Sequence, residues 1–380
     1  MNKFIREKFA FGEAVATLIG TIIGAGILGV PFVIAQVGFG LGFVMLIVLG
    51  LAALLMNLMF CEVVLRTRFR HQIAGYAKKY LGNFAYRVAV LASLIGGYGA
   101  LTAYMIGEGE VLAALFGGDK FVYSLIFFAV CSLILLVGLN LVKVFELWMV
   151  AIFLVIILVI FGLSSSHISI NNLVYTDFSN LFVPYGVILF AYGGAASIVP
   201  LREILRKHPK KVKRAVTVGS IIPIVIYSLF ALIVVGVTGI LTTEVATIGL
   251  GEKIGKSMIV FGNLFAFFAM GTSFLTIGIT MKELFQFDFK FSKMTAWLSV
   301  VSIPMIIFLI SARDFIHIMG IAGSLTFGLS GTILVLMYWK AKKSGDRKPE
   351  FHLPKFKIIG GLLILMFALG IVYTVYDLVI

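Results

Sequence analysis

The chain has 380 residues, 61% of them hydrophobic and 13% charged, with a mean hydropathy of +1.11. A soluble domain is not that apolar, so the composition excludes a soluble enzyme and predicts an all-α integral membrane protein. The formal net charge of +14 would suit an acidic partner such as nucleic acid, but the placement of the basic residues excludes that partner too.

In chain order, eleven apolar runs approach the ~20 residues that cross a bilayer. They are Phe11 to Val37, Leu41 to Leu65, Val88 to Leu115, Phe121 to Leu139, Val144 to Leu163, Leu181 to Leu201, Ala215 to Leu241, Ser257 to Met281, Met294 to Ile310, Phe315 to Tyr338 and Ile358 to Ile380. With a cytoplasmic N-terminus, 27 of the 31 Lys and Arg residues fall on the cytoplasmic side, leaving Lys120, Lys253, Lys256 and Arg313 outside. That asymmetry is the positive-inside pattern, and losing any one span would invert every later loop. "RTRFRHQ" and "REILRKHPKKVKR" are therefore topology signals, with anionic membrane lipid as the partner they suit. The multi-pass chain is expected in the cell (plasma) membrane. Its basic N-terminus precedes a run too long for a signal peptide, so that run reads as a retained span. Cys61 and Cys131 both lie inside apolar runs and read as small buried hydrophobes.

The first span contains "GTIIGAGILGVP", Gly20 to Pro31, with four glycines and a proline. Each interior glycine costs roughly 1 kcal/mol relative to alanine, at a depth where water cannot rescue the backbone. A matching cluster, "FAYGGAAS", Phe190 to Ser197, interrupts the sixth span. Gly24 and Gly193 both fall near the middle of their spans, five spans apart. An inverted repeat of five plus five helices predicts this, and paired discontinuous helices point to a transporter's binding site. The single transmembrane domain, 1–380, then divides into a first repeat (11–163), a second (181–338) and an extra helix (358–380). Glycines also serve plain helix packing, but two central clusters at corresponding places favour a site.

Broken helices expose N–H groups at the start of one half and C=O groups at the end of the other. The amides of Ala25 and Gly26 would hold a carboxylate, and carbonyls near Ile22, Phe190 and Ala191 would accept from an ammonium, with Tyr192 and Gly193 completing the second break. An amino acid zwitterion presents both charges. In the third span Glu108 lies one turn beyond Tyr104 on the same face, whereas Glu110 points roughly 200° away. A carboxylate at that depth reads either as a proton carrier or an ammonium partner, or as a carboxylate wetted by the external vestibule. Glu13, Glu62, Glu146 and His317 sit near span ends and read as interfacial. In the eighth span, Thr272 and Ser273 are either back-bonding hydroxyls or oxygen ligands for Na+ with carbonyls of Gly20, Ile23 and Ala269. No Ser-His-Asp set, metal-ligand cluster or phosphate loop marks an enzyme, and no cofactor is implied beyond Na+ as a coupling ion.

"GTIIGAGILGVP", "ALTAYMIGEGEVL", "MGTSFLTIGITMKELF" and "HIMGIAGSLTFGLSGTILVLMYW" resemble the first, third, eighth and tenth spans of the hydroxy and aromatic amino acid permeases. That group belongs with the amino acid/auxin permeases in the amino acid-polyamine-organocation superfamily. The resemblance, from about Glu13 to Trp339, implies a LeuT-type fold and Na+- or H+-coupled symport of a neutral, aromatic or hydroxy amino acid by alternating access. It matches Gly24, Ala25 and Gly26 to the family's substrate loop, and Thr272 and Ser273 to the hydroxyl pair of the LeuT-type sodium site. Some proton-coupled relatives fill that site with a fifth-span ammonium, and the absence of Lys within Val144 to Leu163 leans toward Na+. Glu108 and Glu110 depart from the small or neutral residues of many aromatic permeases, which leaves the substrate open. A second reading within the same fold is an amino-acid sensor of the spore-germinant type.

Overall fold

The computed structural model describes residues 3–137, 155–311 and 313–379. Among them the chain is helical with no strand, as expected where lipid offers no partner for an open backbone. The first span is broken: α1 (Lys3–Ile22) and α2 (Gly26–Val37) meet at 52° across Ile23 to Ala25. Then follow α3 (Phe39–Leu65), the short α4 (Ile73–Leu81), α5 (Asn83–Phe116), α6 (Lys120–Val137) and α7 (Val155–His167). The sixth span is broken as well, into α8 (Val183–Ala191) and α9 (Ile198–Ile204). The second half continues with α10 (Val212–Thr238), α11 (Ala246–Ile254), α12 (Lys256–Phe287) and α13 (Lys293–Ile310). A π-helical turn, Phe327–Gly331, joins α14 (Phe315–Thr326) to α15 (Thr332–Ser344), and α16 (Lys357–Val379) ends the fold.

Among the described residues nine helical stretches are long and apolar enough to cross a membrane, and the bent α1–α2 pair makes a tenth. The expected fifth span, Val144 to Leu163, lies largely outside the described residues, as does Glu146; α7 covers its end and runs on to His167.

The broken helices sit at the centre of the bundle. α2 packs on α8 and α10, while α5 packs on α6, α12 and α14. Small residues set these distances. A Cβ on Gly323 of α14 would lie 1.9 Å from the Gly186 carbonyl of α8, so only glycine lets the two backbones meet. Outward positions stay apolar, as with Val44, Val48 and Leu51 on α3 and Leu362, Leu365 and Leu369 on α16, the surface a lipid solvent requires.

The lysine- and arginine-rich side is tied together by Glu62, and here the interfacial reading is corrected. Glu62 is 0% exposed at the end of α3. Its Oε1 accepts from Arg66 at 2.8 Å and from Lys342 of α15 at 2.8 Å, and its Oε2 accepts from the Leu353 amide at 2.8 Å. Beside it Asp346 accepts from Lys79 and from the Arg68 amide. A carboxylate near a span end turns inward because the chain between α15 and α16 folds back over it. Glu13 and His317 are exposed, in keeping with the interfacial reading.

Candidate functional site

The two glycine clusters form two real breaks. In the first, the Ile23 amide donates to Ile19 at 2.7 Å and the Gly24 amide to Ile22 at 3.1 Å, and backbone bonding resumes with Ile27 to Gly24 at 3.3 Å. The amides of Ala25 and Gly26 fall in the interval, at the N-terminal end of α2, where a helix has no internal partner to offer. In the second break, Tyr192 and Gly193 close the end of α8 by donating back to Ile188, Leu189 and Phe190. A turn from Ala195 to Ser197 then starts α9. Gly193 is exposed and Phe190 half-buried.

Three elements converge on Gly24. A Cβ there would stand 2.8 Å from the Ser273 Oγ of α12 and 3.4 Å from the Tyr104 hydroxyl of α5. Tyr104 in turn presents its ring edge to Phe190, with centroids 6.4 Å apart. The structure thus brings Gly24, Tyr104, Phe190 and Ser273 together, around an aromatic wall and one hydroxyl pair. Gly26 has a different neighbour: a Cβ on it would lie 2.5 Å from the Cα and Cβ of Ala191. Its lack of a side chain lets α2 and α8 touch, and its amide remains available at the helix start.

Other expected members are placed differently. Tyr192 turns away from Gly24, toward α3 and α10: its ring lies 5.3 Å from that of Tyr227, and a Cβ on Gly50 would be 3.0 Å from it. Thr272 donates back to the Phe268 carbonyl at 2.7 Å, with the Ala269 carbonyl at 3.4 Å, the ordinary use of a membrane hydroxyl. Among the Na+-ligand candidates, Ser273 meets the first break at Gly24 and Thr272 stands beside Ala269; Gly20 is half-buried on α1 and Ile23 buried at the break.

Glu108 is 0% exposed, and neither of its oxygens has a hydrogen-bond partner of ordinary geometry. It faces the Gly271 backbone of α12: a Cβ there would be 3.7 Å from Oε1 and 3.8 Å from the ring of Phe127. Glu108 therefore lies between α5, α6 and α12, against α12 one residue before the Thr272–Ser273 pair and beside Phe127 rather than beside Phe190. Helical spacing put it on the Tyr104 face, but the crossing of α12 sends the two side chains into separate surroundings. Glu110, as expected, points elsewhere and reaches Lys120 at 3.3 Å.

One residue was missed. Tyr227, in the middle of α10 and 1% exposed, places its hydroxyl 2.6 Å from the Ile22 carbonyl and 3.1 Å from that of Ala191. With the Gly24 amide also bound, both lone pairs of the Ile22 carbonyl are in use. Ile22 is corrected accordingly: it is not a free acceptor for an ammonium. A tyrosine in the middle of an apolar span was the available signal, since a buried phenol normally finds a partner.

Comparisons with known proteins agree with this architecture. Residues 7–378 match the tryptophan/tyrosine permease family. The chain is 27% identical to the tyrosine-specific transport system 1 of Haemophilus influenzae, covering 93% of each chain. It is 23% identical to glutamine transporter 2 of Aliivibrio fischeri, over 93% of this chain and 95% of that one. In structure it superposes on MhsT in complex with L-phenylalanine with a TM-score of 0.69 and 12% identity, over 94% of this chain and 98% of that one, which shows the LeuT-type fold. The chain belongs to the tryptophan/tyrosine permease family: it is a multi-pass amino acid permease, not an enzyme.

Proposed function

For this member of the tryptophan/tyrosine permease family, we propose cation-coupled symport of a neutral amino acid, aromatic by preference, into the cell by alternating access. The observation that carries the reading is the meeting of Ser273 and the Tyr104–Phe190 aromatic pair at Gly24, with the Ala25 and Gly26 amides next in the chain at the start of α2. Amides at a helix start suit a carboxylate, and carbonyls of Phe190 and Ala191 at the end of α8 suit an ammonium. An apolar wall beside them suits a ring. A tyrosine-specific relative and the phenylalanine complex of MhsT support an aromatic side chain. The glutamine transporter supports recognition resting mainly on the zwitterion shared by all these substrates.

The coupling ion is Na+ or H+, carried as a second substrate. Ser273, Thr272 and the Ala269 carbonyl offer oxygen ligands on the Na+ side, whereas Glu108, a carboxyl without a partner, offers a proton site. Uptake of L-tyrosine into proteoliposomes under a Na+ gradient alone, then under a pH gradient alone, separates them. Under Na+ coupling, Thr272→Val weakens the sodium dependence. Under H+ coupling, Glu108→Gln abolishes pH-driven uptake while substrate exchange persists. Uptake indifferent to both gradients refutes symport, and binding without any uptake favours a sensor.

A further inference from the structure

The last carbonyls of α1 and α8 converge on one hydroxyl in the middle of the bundle. Each is the C-terminal end of a half-helix, and such an end carries roughly half a negative charge. Ile22 closes α1 and Ala191 closes α8, at corresponding places of the two breaks. Two like ends held together in a dry interior repel unless a hydrogen-bond donor or a cation stands between them. Here that group belongs to the protein. The Tyr227 hydroxyl reaches both oxygens, at 2.6 Å and 3.1 Å, from a helix that is part of neither break.

We propose that Tyr227 is a positioning residue for the proposed amino acid site: its single phenolic proton, shared between the Ile22 and Ala191 carbonyls, holds the two broken helices in register. A phenol has one proton to donate. The shorter contact makes Ile22 the main acceptor and Ala191 the second. The Ala191 carbonyl keeps a lone pair directed elsewhere, whereas Ile22 does not. In consequence the ammonium of a substrate binds on the α8 side of the site, and the spacing of the Ala25 and Gly26 amides from that side depends on Tyr227. The neighbouring Tyr192 supplies an internal control: its ring is equally buried and lies 5.3 Å from that of Tyr227, yet its hydroxyl has no partner.

The inference rests on the amino acid site proposed above, and two phenylalanine variants separate it from that reading. Uptake of L-tyrosine by wild-type protein in liposomes tests the site itself; the difference between Tyr227→Phe and Tyr192→Phe tests Tyr227. Loss of a buried donor to two carbonyls raises KM roughly tenfold in Tyr227→Phe, with Vmax per folded transporter within about twofold of wild type. Tyr192→Phe leaves both unchanged. An unchanged KM in Tyr227→Phe overturns the proposal, and so does a fall in Vmax alone, which marks a merely structural tyrosine. A lower KM also overturns it, because the freed carbonyls would then be serving the ammonium directly. If Tyr227→Phe does not fold, 3-fluorotyrosine installed at 227 keeps the ring and strengthens the donor. KM then falls by about twofold or more, with no change for the same residue at 192, and an equal KM at the two positions overturns the proposal.

Discussion

Glu62 and Glu108 are both carboxylates on membrane helices, and both are 0% exposed. Their surroundings have nothing else in common. Glu62 holds Arg66, Lys342 and the Leu353 amide on its two oxygens, whereas Glu108 has no partner among aromatic and small neighbours. Burying a charge is costly unless opposite charge and hydrogen bonds accompany it. Glu62 meets that condition and acts as the tie that fastens α3 to α15 and to the chain entering α16. Glu108 does not meet it, and a fold built for stability alone would carry an apolar residue there. Of two equally buried acids, then, the one with three partners is structural and the one with none is the candidate for transport.

The largest expected effect tests the first half of that contrast. Glu62→Gln leaves Arg66 and Lys342 facing a neutral amide in a buried place, since their side chains are only 15% and 9% exposed. Roughly 3–5 kcal/mol of stability should be lost, visible as a lower unfolding midpoint in detergent. A change below about 1 kcal/mol would mean that water reaches the cluster and that the pairing matters little.

A smaller effect on stability, with a large one on function, is expected at Glu108. Glu108→Gln exchanges one buried polar group for another of the same shape, with no ion pair to break. Stability should move by no more than about 1 kcal/mol, while uptake driven by a pH gradient disappears if that carboxyl carries the proton. If this variant unfolds as readily as Glu62→Gln, the distinction between the two acids fails.

The smallest effect lies at the rim of the Glu62 cluster, outside the membrane. Hydrogen bonds from Lys79 and from the Arg68 amide hold the Asp346 carboxyl below its usual 3.8. A group lowered in this way adds stability that is present above pH 3.8 and is lost as pH falls through its folded value. Because Asp346 is largely solvated, the gain is small and screened by salt. Unfolding midpoints compared between pH 7 and pH 3 should fall slightly more for wild type than for Asp346→Asn. Equal slopes would show that the pair contributes nothing.

Much of the architecture was legible in the residues. Apolar length located ten of the eleven expected spans, the fifth lying largely outside the described residues, and central glycines located both breaks, because a membrane helix weakened twice at corresponding depths has few other uses. Gly24, Tyr104, Phe190 and Ser273 were all named as site candidates from their positions, and the fold brings them together. Tyr192 was included for its place beside Gly193, but helical phase turned its ring toward α10. Glu62 was misjudged because depth along a helix says nothing about a loop that returns over its end.

The sequence by itself determined an all-helical membrane bundle, its two breaks and the class of ligand those breaks suit. These follow from local rules: bilayer thickness, backbone hydrogen bonding and the cost of glycine act within one span at a time. Tertiary structure alone decided which buried acid is paired, which hydroxyl bonds its own helix and which carbonyls remain free. Arg66 shares a helix end with Glu62, but Lys342 and Leu353 are more than 270 residues away from it. Tyr227 reaches Ile22 across 205 residues and Ala191 across 36. Such contacts depend on how helices cross, because a few degrees of rotation move a side-chain tip by ångströms, and hydrogen bonds and ion pairs fade over that same distance.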